Sequence, residues 1–241
     1  MARVDELPGV VRYGREEFLD RVWRYERGEH VTFLGPTGNG KTYLAQQLLD
    51  RSASPETPAL SLILKPRDRQ VKVWAKAAGH RVVTSYPASA TIWRPQKPPG
   101  YVLWPKYAFN PAIDKPNHER VFRQAILYAY RKGNHIVFAD ETVGLQNLGL
   151  TDELEALWQQ GRSMGDGLWA ATQAPVNIST YAYGQAQHLF LGFINDKKKQ
   201  ARLGEISGVD EYLVRHTVST LARYEWLYIR QEDRKLCIVE K

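Results

Sequence analysis

The octapeptide GPTGNGKT at 35–42 matches G-x-x-x-x-G-K-[ST] in full. That spacing builds a cradle for a phosphate chain. Its glycines let the backbone close around phosphate oxygens, and the amides from Gly38 to Thr42 are expected to point inward at the amino end of a helix. The candidate nucleotide-binding residues are Gly35, Pro36, Thr37, Gly38, Asn39, Gly40, Lys41, Thr42 and Tyr43. Lys41 is placed to reach the β- and γ-phosphates, and Thr42 to offer its hydroxyl to Mg²⁺. A glycine loop can arise by chance. This one follows the apolar run HVTFL (30–34) and precedes TYLAQQLLDR (42–51), the strand-to-helix setting the chemistry requires.

Three further positions carry the remaining chemistry. HIVFADE (135–141) is an apolar run ending in two acids. Asp140 at a strand's carboxyl end is placed to hold Mg²⁺, usually through water. Glu141 is placed to polarise an attacking water as general base. Its bland alternative is a helix cap. GLWAATQAP (167–175) contains Thr-Gln, and Gln173 at that strand tip is the candidate sensor of the γ-phosphate. Its alternative is a polar residue that merely ends a strand. Arg162 lies in QQGRSMGDG (159–167), read as a glycine-rich turn. It is the candidate arginine finger, which ring ATPases usually take from the neighbouring subunit. The alternative is a surface arginine that favours a helix carboxyl end. An Asp-Glu pair fits ATP hydrolysis by a motor better than a nucleotide kinase, a small GTPase or a non-motor ATP-dependent switch.

The elements that must position these residues alternate along the chain. REEFLDRVWRYERGE (15–29) has apolar residues at helical spacing, and residues 1–29 are expected to form an N-terminal helical segment. Strands are expected at 30–34, 60–65, 81–86, 135–140, 167–173 and 188–194, and helices at 42–51, 71–79, 118–133, 150–164, 196–206 and 209–221. Thr151 is a candidate cap. Residues 222–241 read as a C-terminal hairpin, in which Tyr224, Trp226 and Tyr228 alternate on one strand face. Strands alternating with helices imply an α/β fold, a mostly parallel central sheet with helices on both faces. The core then spans 30–221. Within it, 87–116 holds seven of the 13 prolines together with Trp93, Tyr101 and Trp104. That segment reads as an irregular insert, interrupted at most by YVLW (101–104), that is either a solvated excursion or a contact element.

Composition sets the outer limits. The chain has 241 residues, 43% of them hydrophobic and 24% charged, which is enough to build a core. The longest apolar runs, such as HLFLGFI (188–194), are too short for a membrane span. The first ten residues carry acids where a signal peptide needs an apolar stretch. The single cysteine, Cys237, leaves no intrachain disulfide and no cysteine-based zinc site, and fits a reducing compartment. Thirty-three basic against 26 acidic residues give a net charge of +7, which permits a nucleic-acid partner without requiring one.

Taken in order, GPTGNGKT, HIVFADE, the arginine turn and WAATQAP resemble the FtsK/HerA superfamily of P-loop ATPases over roughly residues 30–205. The Ala-Thr-Gln-x-Pro ending carries much of the likeness, and HLFLGFIND (188–196) resembles the next strand of that fold. The resemblance implies a RecA-like P-loop NTPase that uses ATP and Mg²⁺. Lys41 and Thr42 would sit at phosphate and metal, Asp140 at metal, Glu141 as base and Gln173 as sensor. Arg162 would act as a finger in trans. Members mostly form homo-oligomeric rings, hexamers or pentamers, that move double-stranded DNA. Small freestanding cores resemble the genome-packaging ATPases of viruses, which implies a capsid or portal partner and a location in host cytoplasm or virion. A DNA-processing, conjugation or secretion accessory ATPase is the alternative within the superfamily.

DNA translocation relies on basic, sequence-tolerant phosphate contacts. KPRDRQ (65–70), with Arg67 and Arg69, and DKKKQAR (196–202), with Lys197, Lys198 and Lys199, are the candidate DNA contacts. Each is also readable as a solvated charged face. VGLQNLGL (143–150) is expected to be a loop that nucleotide state can move.

Overall fold

The computed structural model describes residues 10–88, 96–173 and 179–241. Ten strands form one sheet in the order β1-β10-β9-β8-β2-β7-β6-β3-β5-β4. The strands are β1 (Arg12–Tyr13), β2 (Val31–Leu34), β3 (Ala59–Leu62), β4 (Arg81–Val83), β5 (Gly100–Leu103), β6 (Ile136–Ala139), β7 (Gly167–Thr172), β8 (His188–Leu191), β9 (Trp226–Arg230) and β10 (Lys235–Val239). From β8 to β4 every neighbour is parallel. The C-terminal hairpin β9–β10 is antiparallel and extends the sheet from β8. This is the mostly parallel α/β architecture expected from the alternation of strands and helices.

Side-chain alternation in the central strands divides the core in two. Val31 and Phe33 of β2 enter one cluster with Leu44, Leu48 and Leu49 of helix α2 (Lys41–Ser52). Leu34 enters the other, with Val121, Phe122 and Ile126 of α4 (Pro111–Lys132) and Leu154 and Leu157 of α6 (Thr151–Met164). Helices therefore cover both faces. The parallel strands themselves are buried throughout β2, β3, β6, β7 and β8, as strands with two covered faces must be. Each fully buried leucine of α2 contributes about 1.5–3 kcal/mol.

Several local expectations are corrected. The helix read over 15–29 is shorter. It comprises α1 (Arg15–Glu17), continued by a π-helical turn over Phe18–Val22, and Trp23 then turns extended. Trp23 leaves the helical path because its ring packs on Trp169, His188, Phe190 and Tyr228. The buried Arg15 ties this segment to the far end of the chain. Its guanidinium donates to Gln47 Oε1 (2.9 Å), Tyr224 O (3.1 Å) and Glu240 O (3.1 Å).

Within 87–116 the interruption allowed for at 101–104 is a strand, β5 (Gly100–Leu103), which lies inside the sheet. Prolines at 99 and 105 leave a gap in which β5 forms and pairs with both β3 and β4. Trp104 is 7% exposed, so its aromatic surface is packing and not a free contact. The prolines at 111 and 116 belong to α4: Pro111 opens it behind the Asn110 cap, where proline is tolerated, and Pro116 lies inside it past the first turn. Trp93 lies outside the described residues, as do Pro175 and residues 1–9.

VGLQNLGL is not a loop: helix α5 covers Thr142–Asn147. Thr151 does not cap α6, whose N-cap is Leu150 with no side-chain cap bond. Arg162 sits in the last turn of α6, and the glycine follows it: Gly165 closes the helix in the left-handed conformation. Among the described residues no helix is long and apolar enough to cross a membrane.

Candidate active site

In an open parallel sheet, ligands bind beyond the carboxyl ends of the strands. The octapeptide 35–42 leaves β2 at that edge. Gly38 and Gly40 take φ of 78° and 82°, left-handed values that glycine adopts without a Cβ penalty. Gly40 is the N-cap of α2, so the first-turn amides from Lys41 onward have no preceding helical carbonyl and face the loop's concavity. The base of the loop is held by β7 and by the turn before β9, where Tyr224, with φ of 73°, stands outside the strand face expected to carry it with Trp226 and Tyr228. Gly35 N–H donates to Thr172 O of β7 (3.2 Å), and Tyr224 N–H donates to Asn39 Oδ1 (3.4 Å).

Strand order brings the separate motifs together. β7 lies between β2 and β6, so the tip of β7 stands between the glycine loop and the acidic pair. Thr42 Oγ1 donates to Asp140 Oδ1 at 2.5 Å. Gln173 Nε2 donates to Glu141 Oε2 at 3.2 Å. Glu141 occupies the N-cap position of α5, yet its side chain makes no cap bond. It faces Gln173 instead, which removes the bland reading of Glu141 as a helix cap.

Lys41 Nζ donates to the carbonyls of Gly35 (2.6 Å) and Pro36 (3.0 Å). Burial lowers its affinity for a proton, and Glu141 and Asp140 offset part of that effect. A partly desolvated ammonium resting on neutral carbonyls is poised for a stronger anionic partner. The surrounding cleft has a volume of about 1090 Å³. Lys41, Thr42, Asp140, Glu141 and Gln173 line one part of it, and Arg15, Tyr43 and Tyr224 another. Its volume suffices for both a phosphate chain and a flat ring system.

The donor set fits Mg²⁺. Thr42 supplies a hydroxyl and Asp140 a carboxylate whose side chain is 1% exposed. Both are hard oxygens, and Mg²⁺ is usually held by one or two such protein ligands with phosphates and waters completing the set.

The structure also adds a residue that sequence reading missed. Lys65, just beyond β3, places Nζ 2.9 Å from Asp140 Oδ2. Burial alone would pull its pKa down, but Asp140 and Asp68 more than offset this and leave it raised. The adjacency of β3 and β6 makes this contact, and only the sheet order reveals that adjacency.

The other candidates lie further away. Arg67 and Arg69 are exposed beyond β3, with Arg69 opening helix α3 (Arg69–Ala77). Lys197, Lys198 and Lys199 open helix α8 (Lys197–Ile206) beyond β8, behind the Asp196 cap. Both basic segments thus lie at the carboxyl edge of the sheet, on opposite sides of β2-β7-β6. Arg162 is exposed at the other edge, before β7 begins. Roughly 20 Å of strand separates it from this chain's own cleft, so it does not join the cluster in cis.

No protein-family model matches the sequence, and no curated protein sequence matches it. Solved structures do match the fold. The chain is similar to B204, the DNA-packaging ATPase from Sulfolobus turreted icosahedral virus, with TM-score 0.61 and 16% identity over 90% of this chain and 98% of that one. It is similar to the genome packaging NTPase B204 from Sulfolobus turreted icosahedral virus 2 in complex with ATP-gammaS, with TM-score 0.60 and 15% identity over 90% and 98% of the two chains. VirB4 of Thermoanaerobacter pseudethanolicus gives TM-score 0.61 and 11% identity over 88% and 89%. The fold is that of the RecA-like P-loop ATPases, as the sequence led one to expect.

Proposed function

We propose that this protein is a Mg²⁺-dependent ATPase that assembles into a ring and drives double-stranded DNA, in viral genome packaging. The observation that carries the hydrolytic reading is the Gln173–Glu141 contact beside Lys41, Thr42 and Asp140. Glu141 accepts the proton of an attacking water, and Gln173 fixes the carboxylate's orientation and samples the γ-phosphate. Lys41 leaves the Gly35 and Pro36 carbonyls to neutralise phosphate charge. Asp140 and Thr42 would hold Mg²⁺, which would supply positive charge against the charge that develops on the phosphates.

The structural likeness to a protein described as a DNA-packaging ATPase supports the packaging reading. So does the placement of lysines in α8. Lys197, Lys198 and Lys199 crowd the positive end of a helix dipole, an arrangement that only Asp196 offsets within the helix cap. An anionic partner relieves it. Duplex DNA is therefore expected to stimulate ATP hydrolysis, and replacing the three lysines by alanine is expected to reduce the slope of log affinity against log salt by up to about 3. An unchanged slope would remove this segment from the DNA-contact surface. Likeness to the plasmid coupling protein TrwB, with TM-score 0.54 and 13% identity over 88% of this chain and 85% of that one, favours a second reading, an accessory ATPase of conjugation or secretion. Co-purification with a membrane pore rather than a capsid or portal protein separates the two.

A ring gives Arg162 its role. Exposed at the edge away from its own cleft, it is placed to serve a neighbouring subunit. Mixing Arg162→Ala subunits with wild type is expected to depress ATPase activity more steeply than the mutant fraction. A strictly proportional loss would overturn the trans assignment.

A further inference from the structure

The carboxylate placed to hold a metal already holds a cation of the protein's own. Lys65 Nζ lies 2.9 Å from Asp140 Oδ2, on the oxygen opposite the one that Thr42 Oγ1 occupies. Asp140's side chain is 1% exposed and that of Lys65 is 47% exposed. A buried carboxylate without a partner is costly, and this ion pair supplies one. Lys41 does not compete for the position, because its ammonium rests on the Gly35 and Pro36 carbonyls.

The backbone beneath Lys65 is pinned. Trp104 Nε1 donates to Lys65 O at 2.8 Å, and Tyr107 Oη donates to Leu64 O. Trp104 is itself buried. The movable part is therefore the four-carbon side chain, which is flexible and ends in a compact charge. Asp68 Oδ2, 3.6 Å from Nζ, offers a second resting place.

We propose that Lys65 is a tethered counter-ion: it occupies Asp140 while the cleft lacks a divalent cation and withdraws from it when one binds. An ammonium and Mg²⁺ cannot share this carboxylate at close range, because like charges a few ångströms apart repel strongly in a partly buried site. Metal alone must displace Lys65 without offering it a new anion. Metal arriving with a nucleotide brings phosphates that the displaced ammonium can approach. Lys65 thereby makes metal loading depend on nucleotide loading, and it acts as a positioning residue through Asp140. This rests on the reading of Asp140 and Thr42 as the metal-holding pair.

The test uses Mn²⁺ alone as probe, titrated into nucleotide-free full-length protein and followed by the electron paramagnetic resonance of free Mn²⁺. Lys65→Met and Lys65→Gln are expected to bind Mn²⁺ roughly ten-fold more tightly than wild type. Lys65→Arg retains the charge and is expected to stay near wild type. Adding ATP is expected to shrink or reverse the gap between wild type and the neutral variants. A purely structural role for Lys65 would weaken metal binding, not strengthen it. Equal Mn²⁺ affinity in wild type and both neutral variants, with Asp140→Asn weaker than all three, overturns the counter-ion and leaves the metal pair standing. Unchanged Mn²⁺ binding by Asp140→Asn, with and without ATP, overturns the metal pair itself.

Discussion

Glu141→Gln is expected to bind ATP with near wild-type affinity and to lose turnover by about 10²–10⁴-fold, the range that a positioned general base contributes. The substitution keeps the side chain's shape and a carbonyl oxygen that can accept from Gln173 Nε2, which lies 3.2 Å from Glu141 Oε2 in the native site. What it removes is the capacity to take a proton. Binding of a fluorescent ATP analogue and single-turnover hydrolysis, measured on the same preparation, separate the two effects. Brisk single-turnover hydrolysis by this variant would end the base assignment. Equal loss of binding and turnover would point to collapse of the site instead.

Lys41→Ala is expected to fail earlier, at binding. The ammonium is the only charged group of the octapeptide 35–42, and it holds just two neutral carbonyls in the structure. Its hydrogen bonds to phosphate would be charge-assisted, each contributing about 1.5–3 kcal/mol. One or two such bonds lost correspond to an affinity drop of roughly 10- to 10⁴-fold. Calorimetric titration with a non-hydrolysable ATP analogue reads this directly. The loop itself should survive, because Gly38, Gly40 and the Gly35–Thr172 bond do not depend on Lys41. Thermal unfolding close to wild type is therefore expected. Undiminished analogue binding would remove Lys41 from the phosphate site. The two variants together distinguish binding from chemistry: one keeps the nucleotide and cannot cleave it, and the other cannot hold it.

Within the nucleotide cleft, legibility followed the range of the interaction. The loop conformation depends on glycines five or fewer residues apart, and the helix that follows begins where its own periodicity begins. Such features are local, so residue order is enough to find them. The acidic pair and Gln173 end apolar runs, and the parallel-sheet rule sends all such ends to one edge. Misreadings arose where a distant contact outweighed a local preference. Trp23 continues a helical pattern in sequence, yet its ring is buried among β7, β8 and β9, and the helix stops short. The run YVLW was legible as a break in the proline-rich stretch, but its place as an interior strand between β3 and β4 follows only from the sheet order.

Lys65 shows the same limit at the site. As a residue it is one charge in a basic run, indistinguishable from Arg67 and Arg69. Its contact with Asp140 exists because β3 and β6 are neighbours across a crossover. Arg162 is the converse case: its flanking glycines mark a turn, but the helix runs through it and places it at the edge away from the cleft.

Residue order alone therefore determined the strand-loop-helix around the octapeptide 35–42, the chemical type of each group beside it, and a mostly parallel α/β sheet. Those depend on short-range sterics and on hydrophobic periodicity. Tertiary structure decided which strand tips became neighbours, which cation faced Asp140, and that Glu141 turned to Gln173 rather than capping its helix. Those depend on strand order, a property of long-range packing that no local window of sequence contains.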